Sequence, residues 1–236
     1  MTDIDRAKQA VRQQVWDLLE RDGAAPPGVH GHIPDFVGKE EAAARLADCD
    51  VWKQAQVIKC NPDRAQFPVR IRALQDGKLL YMAVPKLATP KPFYLLDPAL
   101  LTAPIETAVT STGAPQVAPT VGPDDMLPVD LIVCGSVAVS SRGGVRLGKG
   151  AGYSDLEIAL LIDAGLVTTD TAIATTIHQI QLLEFELPHT DHDFSIDLAI
   201  TPTQVVACEA GRARPSGIIK SSLRQGQIDS IPILRA

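Results

Sequence analysis

Apolar residues recur at helical spacing from the start of the chain. Ile4, Ala7, Val11, Val15 and Leu18 mark one face of an amphipathic helix, and Gly23 follows as a stop. Lys8 and Arg12 lie four residues apart and so share a helix face, where a solvated basic stripe is the plain reading. A loop, "GAAPPGVHGHIPDF", leads to a second helix, "KEEAAARLADCDVW", built from good helix formers. Short apolar runs then alternate with helical patterns. "QVIKC" and "LLYMAV" read as strands, parted by a short helix, "FPVRIRALQDGK", that closes at Gly77. Strands separated by helices point to crossover connections and a parallel sheet. "VDLIVCGSVAVS" is the most apolar run and predicts a central strand. "SRGG" predicts a turn, and the segment after it a helix ending at Gly165. "TAIATTI" predicts another buried strand, followed by "HQIQLLEFELP". "SIDLAITPTQVVAC" predicts two strands broken at Pro202, and the tail from Gly217 a short helix with an extended end. The expected fold is α/β, with helices on both faces of a mostly parallel sheet.

The rhythm breaks between Pro85 and Pro128, where nine of the 18 prolines fall. Because the same style of pattern resumes afterwards, this stretch is expected to be an irregular insertion that covers a site, within one α/β domain spanning residues 1–236. Composition supports a substantial core, since 45% of the residues are apolar. The net charge of −6 argues against a generic binder of nucleic acid or membrane surfaces, but it leaves room for a local basic pocket. Cys49, Cys60, Cys134 and Cys208 are far apart and form no CxxC pair, which predicts buried thiols rather than disulfides or a zinc site. The opening residues are polar and charged, and no run is long enough to cross a bilayer, so a soluble cytoplasmic protein is expected. The sequence leaves the oligomeric state open.

One stretch carries chemistry. In "VRLGKGAGYSD", glycines stand at 148, 150 and 152, between Arg146 and Asp155. Ser154 and Glu157 have the spacing of a capping box, which predicts a helix starting at Asp155. The glycines would then lead into a helix N-terminus, whose free amides and dipole favour an anion. Absent side chains let backbone approach a phosphate closely, and Arg146 and Lys149 add positive charge. Asp155 would be repelled by phosphate unless a Mg²⁺ lay between them. The spacing matches neither a P-loop nor a dinucleotide fingerprint. A plain loop and helix cap, with Asp155 as a dipole-compensating carboxylate, fits the same residues. Two other groups are weaker. "HTDHD" gathers His189, Asp191, His192 and Asp193, but adjacent residues rarely converge on one ion, so a solvated loop contributing Asp193 is the expectation. His178 follows a buried strand and reads as a hydrogen-bonded structural histidine.

The stretch from Val129 to Asp155 resembles the 5-formyltetrahydrofolate cyclo-ligase (methenyltetrahydrofolate synthetase) family, whose signature is R-x-G-x-G-x-G-Y-Y-D after a strand and hairpin. Lys8 and Arg12 resemble its N-terminal K-x-x-x-R pattern. "QLLEFELP" and "DHDFSIDLAIT" resemble its Q-L-x-x-x-x-P and D-x-x-x-D segments. The resemblance implies a three-layer α/β/α sandwich and an ATP- and Mg²⁺-dependent ligase. In such enzymes the formyl oxygen takes the γ-phosphoryl group of ATP, N10 closes the ring, and phosphate leaves. Carried over, Lys8, Arg12, Arg146 and Lys149 would hold phosphates, and the backbone of Gly148, Gly150, Ala151 and Gly152 would cradle them. Tyr153 would face the pterin, and Asp155 and Asp193 would ligate Mg²⁺; Arg146, Lys149 and Tyr153 form the expected catalytic set. Two departures bear on substrate. The second motif tyrosine is Ser154, and the folate-facing glutamate expected after the first core strand is missing from "CNPDRAQF", where Asp63 is the nearby acid. "GKGAGYSDLE" and "ITPTQVV" resemble a divergent, cyclo-ligase-like domain branch. The alternatives are therefore an ATP-dependent enzyme acting on another small amide-like substrate, and a non-catalytic nucleotide- or folate-binding protein.

Overall fold

The computed structural model describes residues 2–208 and 214–235. The elements run in the order α1 (Asp3–Arg21), α2 (Lys39–Ala47), α3 (Asp50–Gln54), β1 (Val57–Cys60), α4 (Phe67–Gln75), β2 (Leu79–Ala83), β3 (Phe93–Leu96), α5 (Ile105–Ala108), α6 (Ala114–Val117), β4 (Thr120–Val121), β5 (Leu131–Cys134), β6 (Ala138–Ser140), β7 (Arg146–Leu147), α7 (Tyr153–Asp163), β8 (Ala172–Thr176), β9 (Leu182–Leu183), β10 (Leu198–Ile200), β11 (Val205–Ala207) and α8 (Gln225–Ser230). Eight strands form the main sheet in the order β11-β10-β8-β5-β1-β2-β3-β4; β7, β6 and β9 form a small second sheet. The five strands from β10 to β2 pair in parallel, and antiparallel strands flank them on both sides.

Alternation along the parallel strands builds two cores. Ile58, Cys60, Leu131 and Val133 face one side, packed against α2, α3 and α4. Ile132, Cys134 and Ile173 face the other, packed against α7 and the C-terminal segment. The result is a three-layer α/β/α sandwich, as the sequence predicts. Helix α1 packs instead on the small sheet, through Val15, Trp16 and Leu19 against Val137 and Ala138. Among the described residues no helix is long and apolar enough to cross a membrane. All four cysteines are free thiols; Cys60 and Cys134 are buried, Cys49 and Cys208 partly so.

Several expectations are corrected. The second predicted helix is two, because Asp48 ends α2 and extended Cys49 starts α3. The apolar run "VDLIVCGSVAVS" is also two elements: β5 lies central in the main sheet, and β6 leaves it for the small one. The proline-rich stretch is not irregular throughout, although its first residues, Pro85 and Lys86, line the cleft described below. Its β3 and β4 extend the main sheet as an edge, while α5 and α6 pack on one face. Proline is compatible with edge strands and first helical turns, so it punctuates this segment without preventing structure. The last described residues, Pro232–Arg235, form a 3₁₀ turn rather than an extended segment.

The buried face of α1 differs most from its pattern. Ile4 is 42% exposed, whereas Lys8 and Arg12 are buried beside Val15, Trp16 and Leu19. The helix is turned so that its cations, not its first apolar residues, face inward. The reason lies in what they meet.

Candidate functional site

A cleft of about 910 Å³ opens above the ends of β1 and β7 and the start of α7. Its lining includes Lys8, Arg12, Arg146, Lys149, Tyr153, Asp155 and Asp193, together with the backbone from Gly148 to Gly152. The structure therefore brings together every residue that the sequence singled out for phosphate and metal.

The β6–β7 hairpin delivers Arg146, and the chain then turns through the glycines into α7. Gly150 and Gly152 have φ of +102° and +77°, conformations that side chains disfavour. A Cβ on Gly150 would lie 3.6 Å from the Arg12 guanidinium, an ordinary contact, so the positive φ rather than crowding is what favours glycine there. Helix α7 starts at Tyr153 with Gly152 as its N-cap and no side-chain cap. This corrects the predicted capping box and the start at Asp155. Ser154 Oγ instead accepts from Asn61 Nδ2 at 2.9 Å, and Glu157 pairs with Lys59 in the core. With both candidates engaged elsewhere, the first amides of α7 lack a side-chain partner and remain available to an anion.

The cations are held in place differently. Arg12 Nε donates to Gly148 O at 2.7 Å, fastening α1 to the glycine loop. Burial pulls the Arg12 guanidinium below its ordinary value. Lys8 Nζ pairs with Asp193 Oδ2 at 2.5 Å, and Thr190 donates its amide to the same carboxylate. Burial pushes the Asp193 carboxyl up, but these hydrogen bonds outweigh it and hold the group below the usual range. Lys149 reaches Asp63 Oδ1 at 3.4 Å across the cleft. Arg146 is 3% exposed, and its nearest acid is Asp155 at 3.6 Å, beyond a hydrogen bond. Its Nε and Nη1 are buried and have no hydrogen-bond partner among the described residues. Burial lowers the Arg146 guanidinium pKa; the carboxylates of Asp155 and Asp193 reverse that and raise it, so the side chain stays a cation.

Asp155 Oδ1 accepts from the Phe194 amide at 3.3 Å, which ties the Asp193 loop to the start of α7. Among the described residues no three His, Cys, Asp or Glu side chains are grouped to hold a metal ion. His192 and Asp193 line the cleft, and His189 Nδ1 lies 3.0 Å from Leu187 O. His178 accepts from the Ile180 amide and starts a 3₁₀ turn, the structural role predicted for it.

Two parts of the site escape sequence reasoning. One is the quartet of Lys59, Asn61, Ser154 and Glu157, whose signal is a lysine inside an apolar strand and a glutamate inside an apolar helix. The other is the C-terminal segment, where Ile218, Leu223, Arg224 and Gln227 complete the cleft wall. A Cβ on Gly152 would lie 3.3 Å from Gln227 Nε2, so this segment reaches the glycine loop itself.

A parallel-centred sheet between two helical layers, with a cleft of cations and carboxylates over a glycine loop, defines a three-layer α/β/α protein. The chain matches the model of the 5-formyltetrahydrofolate cyclo-ligase family over residues 4–202, and it belongs to that family. It is 37% identical over 234 residues to the methenyltetrahydrofolate synthase domain-containing protein of Bos taurus, and 36% over 234 residues to that of Homo sapiens. Each comparison covers 98% of this chain and 61% of the relative, so the chain spans about three-fifths of the length of these relatives. The 5,10-methenyltetrahydrofolate synthetase of Aquifex aeolicus shares the fold, with a TM-score of 0.55 at 21% identity, covering 87% of this chain and 95% of that one.

Proposed function

We propose that the cleft binds Mg-ATP along the glycine loop and converts 5-formyltetrahydrofolate to 5,10-methenyltetrahydrofolate, releasing ADP and phosphate. The observation that carries this reading is Arg146, a buried cation with two unpartnered guanidinium nitrogens beside open helix amides. An incoming phosphate supplies the acceptors that the protein does not. Lys8, Arg12 and Lys149 add charge around the same loop, and phosphoryl transfer is catalysed chiefly by such positioning and charge stabilisation. Arg146 and Lys149 stabilise charge as the formyl oxygen takes the γ-phosphoryl group. Tyr153 borders the ring as N10 attacks the formyl carbon and phosphate departs.

The carboxylates of Asp155 and Asp193 suit Mg²⁺. They are hard oxygen donors joined through the Asp155–Phe194 contact and lie beside the cations that would hold phosphate. Bound there, the ion would supply charge that offsets the repulsion between these carboxylates and the phosphates. The protein is expected to act in the cytoplasm on a freely diffusing folate, with no membrane or nucleic-acid partner.

The test is phosphate release with ATP, Mg²⁺ and 5-formyltetrahydrofolate, followed together with the absorbance of the methenyl product. Folate-dependent release in step with product is the expected result. ATP binding without release overturns the ligase reading. Release driven by a different amide, and not by the folate, supports the alternative substrate that the missing glutamate after β1 suggests.

A further inference from the structure

Arg146 lacks acceptors. Glu157, in the same cleft, has the opposite deficit. Its side chain comes from the second turn of α7 and is 4% exposed. Lys59, fully buried on β1, donates to its Oε2. Asn61 Nδ2 reaches the same oxygen at 3.2 Å and Ser154 Oγ at 2.9 Å, while Lys59 also meets Asn61 Oδ1 at 3.3 Å. All the protein's donors thus converge on one carboxylate oxygen. Among the described residues nothing donates to Oε1, and Glu157, Asn61 and Ser154 all line the cleft.

A carboxylate held this way is an acceptor of fixed orientation. Lys59 offsets its charge, and Asn61, itself bonded to Ser154, helps fix its orientation. It repels phosphate, so it does not serve the triphosphate. A ligand that satisfies it must bring N–H donors into a largely desolvated site. On the reading given under Proposed function, on which this inference rests, two ligands carry such donors. Adenine offers an amino group flanked by ring nitrogens whose lone pairs a carboxylate repels. The pterin of a tetrahydrofolate offers an amino group beside a ring N–H, two donors on one edge, with a carbonyl next to them. Ser154, already an acceptor from Asn61, keeps its own proton for such a carbonyl. Tyr153, beside it in sequence, lines the same cleft.

We propose that Glu157 Oε1 receives the amino and ring N–H donors of the pterin, so that the folate-recognising acid of this chain comes from α7 instead of the segment after β1. Lys59 and Asn61 are positioning residues, since they act through Glu157.

The experiment titrates wild type, Glu157→Gln and the charge-balanced Lys59→Met/Glu157→Gln protein with 5-formyltetrahydrofolate and, separately, with Mg-ATP. Wild type is also titrated with the 2-desamino-2-methyl analogue of the folate, which lacks the amino donor. Folate affinity should fall about ten- to hundred-fold in both variants, with Mg-ATP affinity unchanged. The analogue should lose a similar factor on wild type and little more on the variants. Equal folate affinity in all three proteins overturns the assignment of Glu157 while leaving the folate reading intact. Lost Mg-ATP affinity with unchanged folate affinity overturns it in favour of adenine. Wild type that binds Mg-ATP but no folate overturns the folate reading itself, and the inference with it. Should neither variant fold, the analogue decides alone: equal binding of parent and analogue by wild type overturns the proposal.

Discussion

Arg70 on α4 and Arg146 on β7 are 1% and 3% exposed, yet they stand in opposite states. Arg70 spends its donors on the protein. Its Nε gives to Val109 O at 2.8 Å, and its Nη1 gives to Asn61 O and Asp63 O, the latter at 2.9 Å. It clamps the segment after β1 to the end of α5 and so shapes one wall of the cleft from behind. Arg146 has two guanidinium nitrogens with no hydrogen-bond partner among the described residues. Burial of a charge is costly in either place, but only around Arg70 does the fold supply the acceptors. The fold satisfies Arg70, which serves structure; Arg146 is the side chain proposed above to be held for a ligand.

That contrast can be broken in stability first. Arg70→Met strands buried carbonyls and should cost about 3–5 kcal/mol in denaturant unfolding, with no specific effect on nucleotide affinity in the folded fraction. A loss under about 1 kcal/mol would place Arg70 with Arg146.

The acid limb of stability tests the carboxylate that anchors α1. Asp193 is held below its ordinary value, so its contribution is complete above about pH 4 and is lost as pH falls through its folded pKa. Unfolding curves of Asp193→Asn should start from lower stability at neutral pH and fall less steeply below about pH 4 than those of wild type. Parallel curves would mean that the Lys8 pair contributes nothing.

Asp155→Asn has a smaller expected cost, roughly 0.3–1 kcal/mol, as a first-turn carboxylate of α7. Its sharper readout is the metal. ATP affinity with Mg²⁺ and with EDTA should become equal in this variant, whereas an unchanged Mg²⁺ dependence would reduce Asp155 to a helix-dipole partner. Lys149→Ala should be the mildest change. Its contact with Asp63 is a long, partly exposed pair, so thermal unfolding should move by less than about 0.5 kcal/mol. ATP affinity should fall most at low salt, where screening is weakest.

The sequence made the glycine loop legible because close approach of backbone and helix start leaves a mark in residue type. The central strands were legible through unbroken apolar runs. Burial of charge left a weaker mark. On α1, the run from Ile4 to Leu18 scores as an apolar face, but the fold selects Lys8, Arg12, Val15, Trp16 and Leu19. Periodicity counts apolar residues and is blind to a lysine that will find Asp193 far along the chain. Ser154 and Glu157 have capping spacing, but Asn61 and Lys59 claim them from another element. Such long-range competition has no local signature. The prolines between 85 and 128 mark edges and first turns, which look the same in sequence as a loop.

The contrast between the two arginines rests finally on what Arg146 does with a ligand. Titration calorimetry of Mg-ATP into wild type and Arg146→Met, with denaturant unfolding of both, measures it. Affinity should fall about ten- to hundred-fold, because charge-assisted hydrogen bonds to phosphate go with the side chain, while stability stays equal within about 1 kcal/mol. Unchanged ATP affinity, with a stability loss as large as that of Arg70→Met, would make Arg146 a second structural arginine and contradict the account.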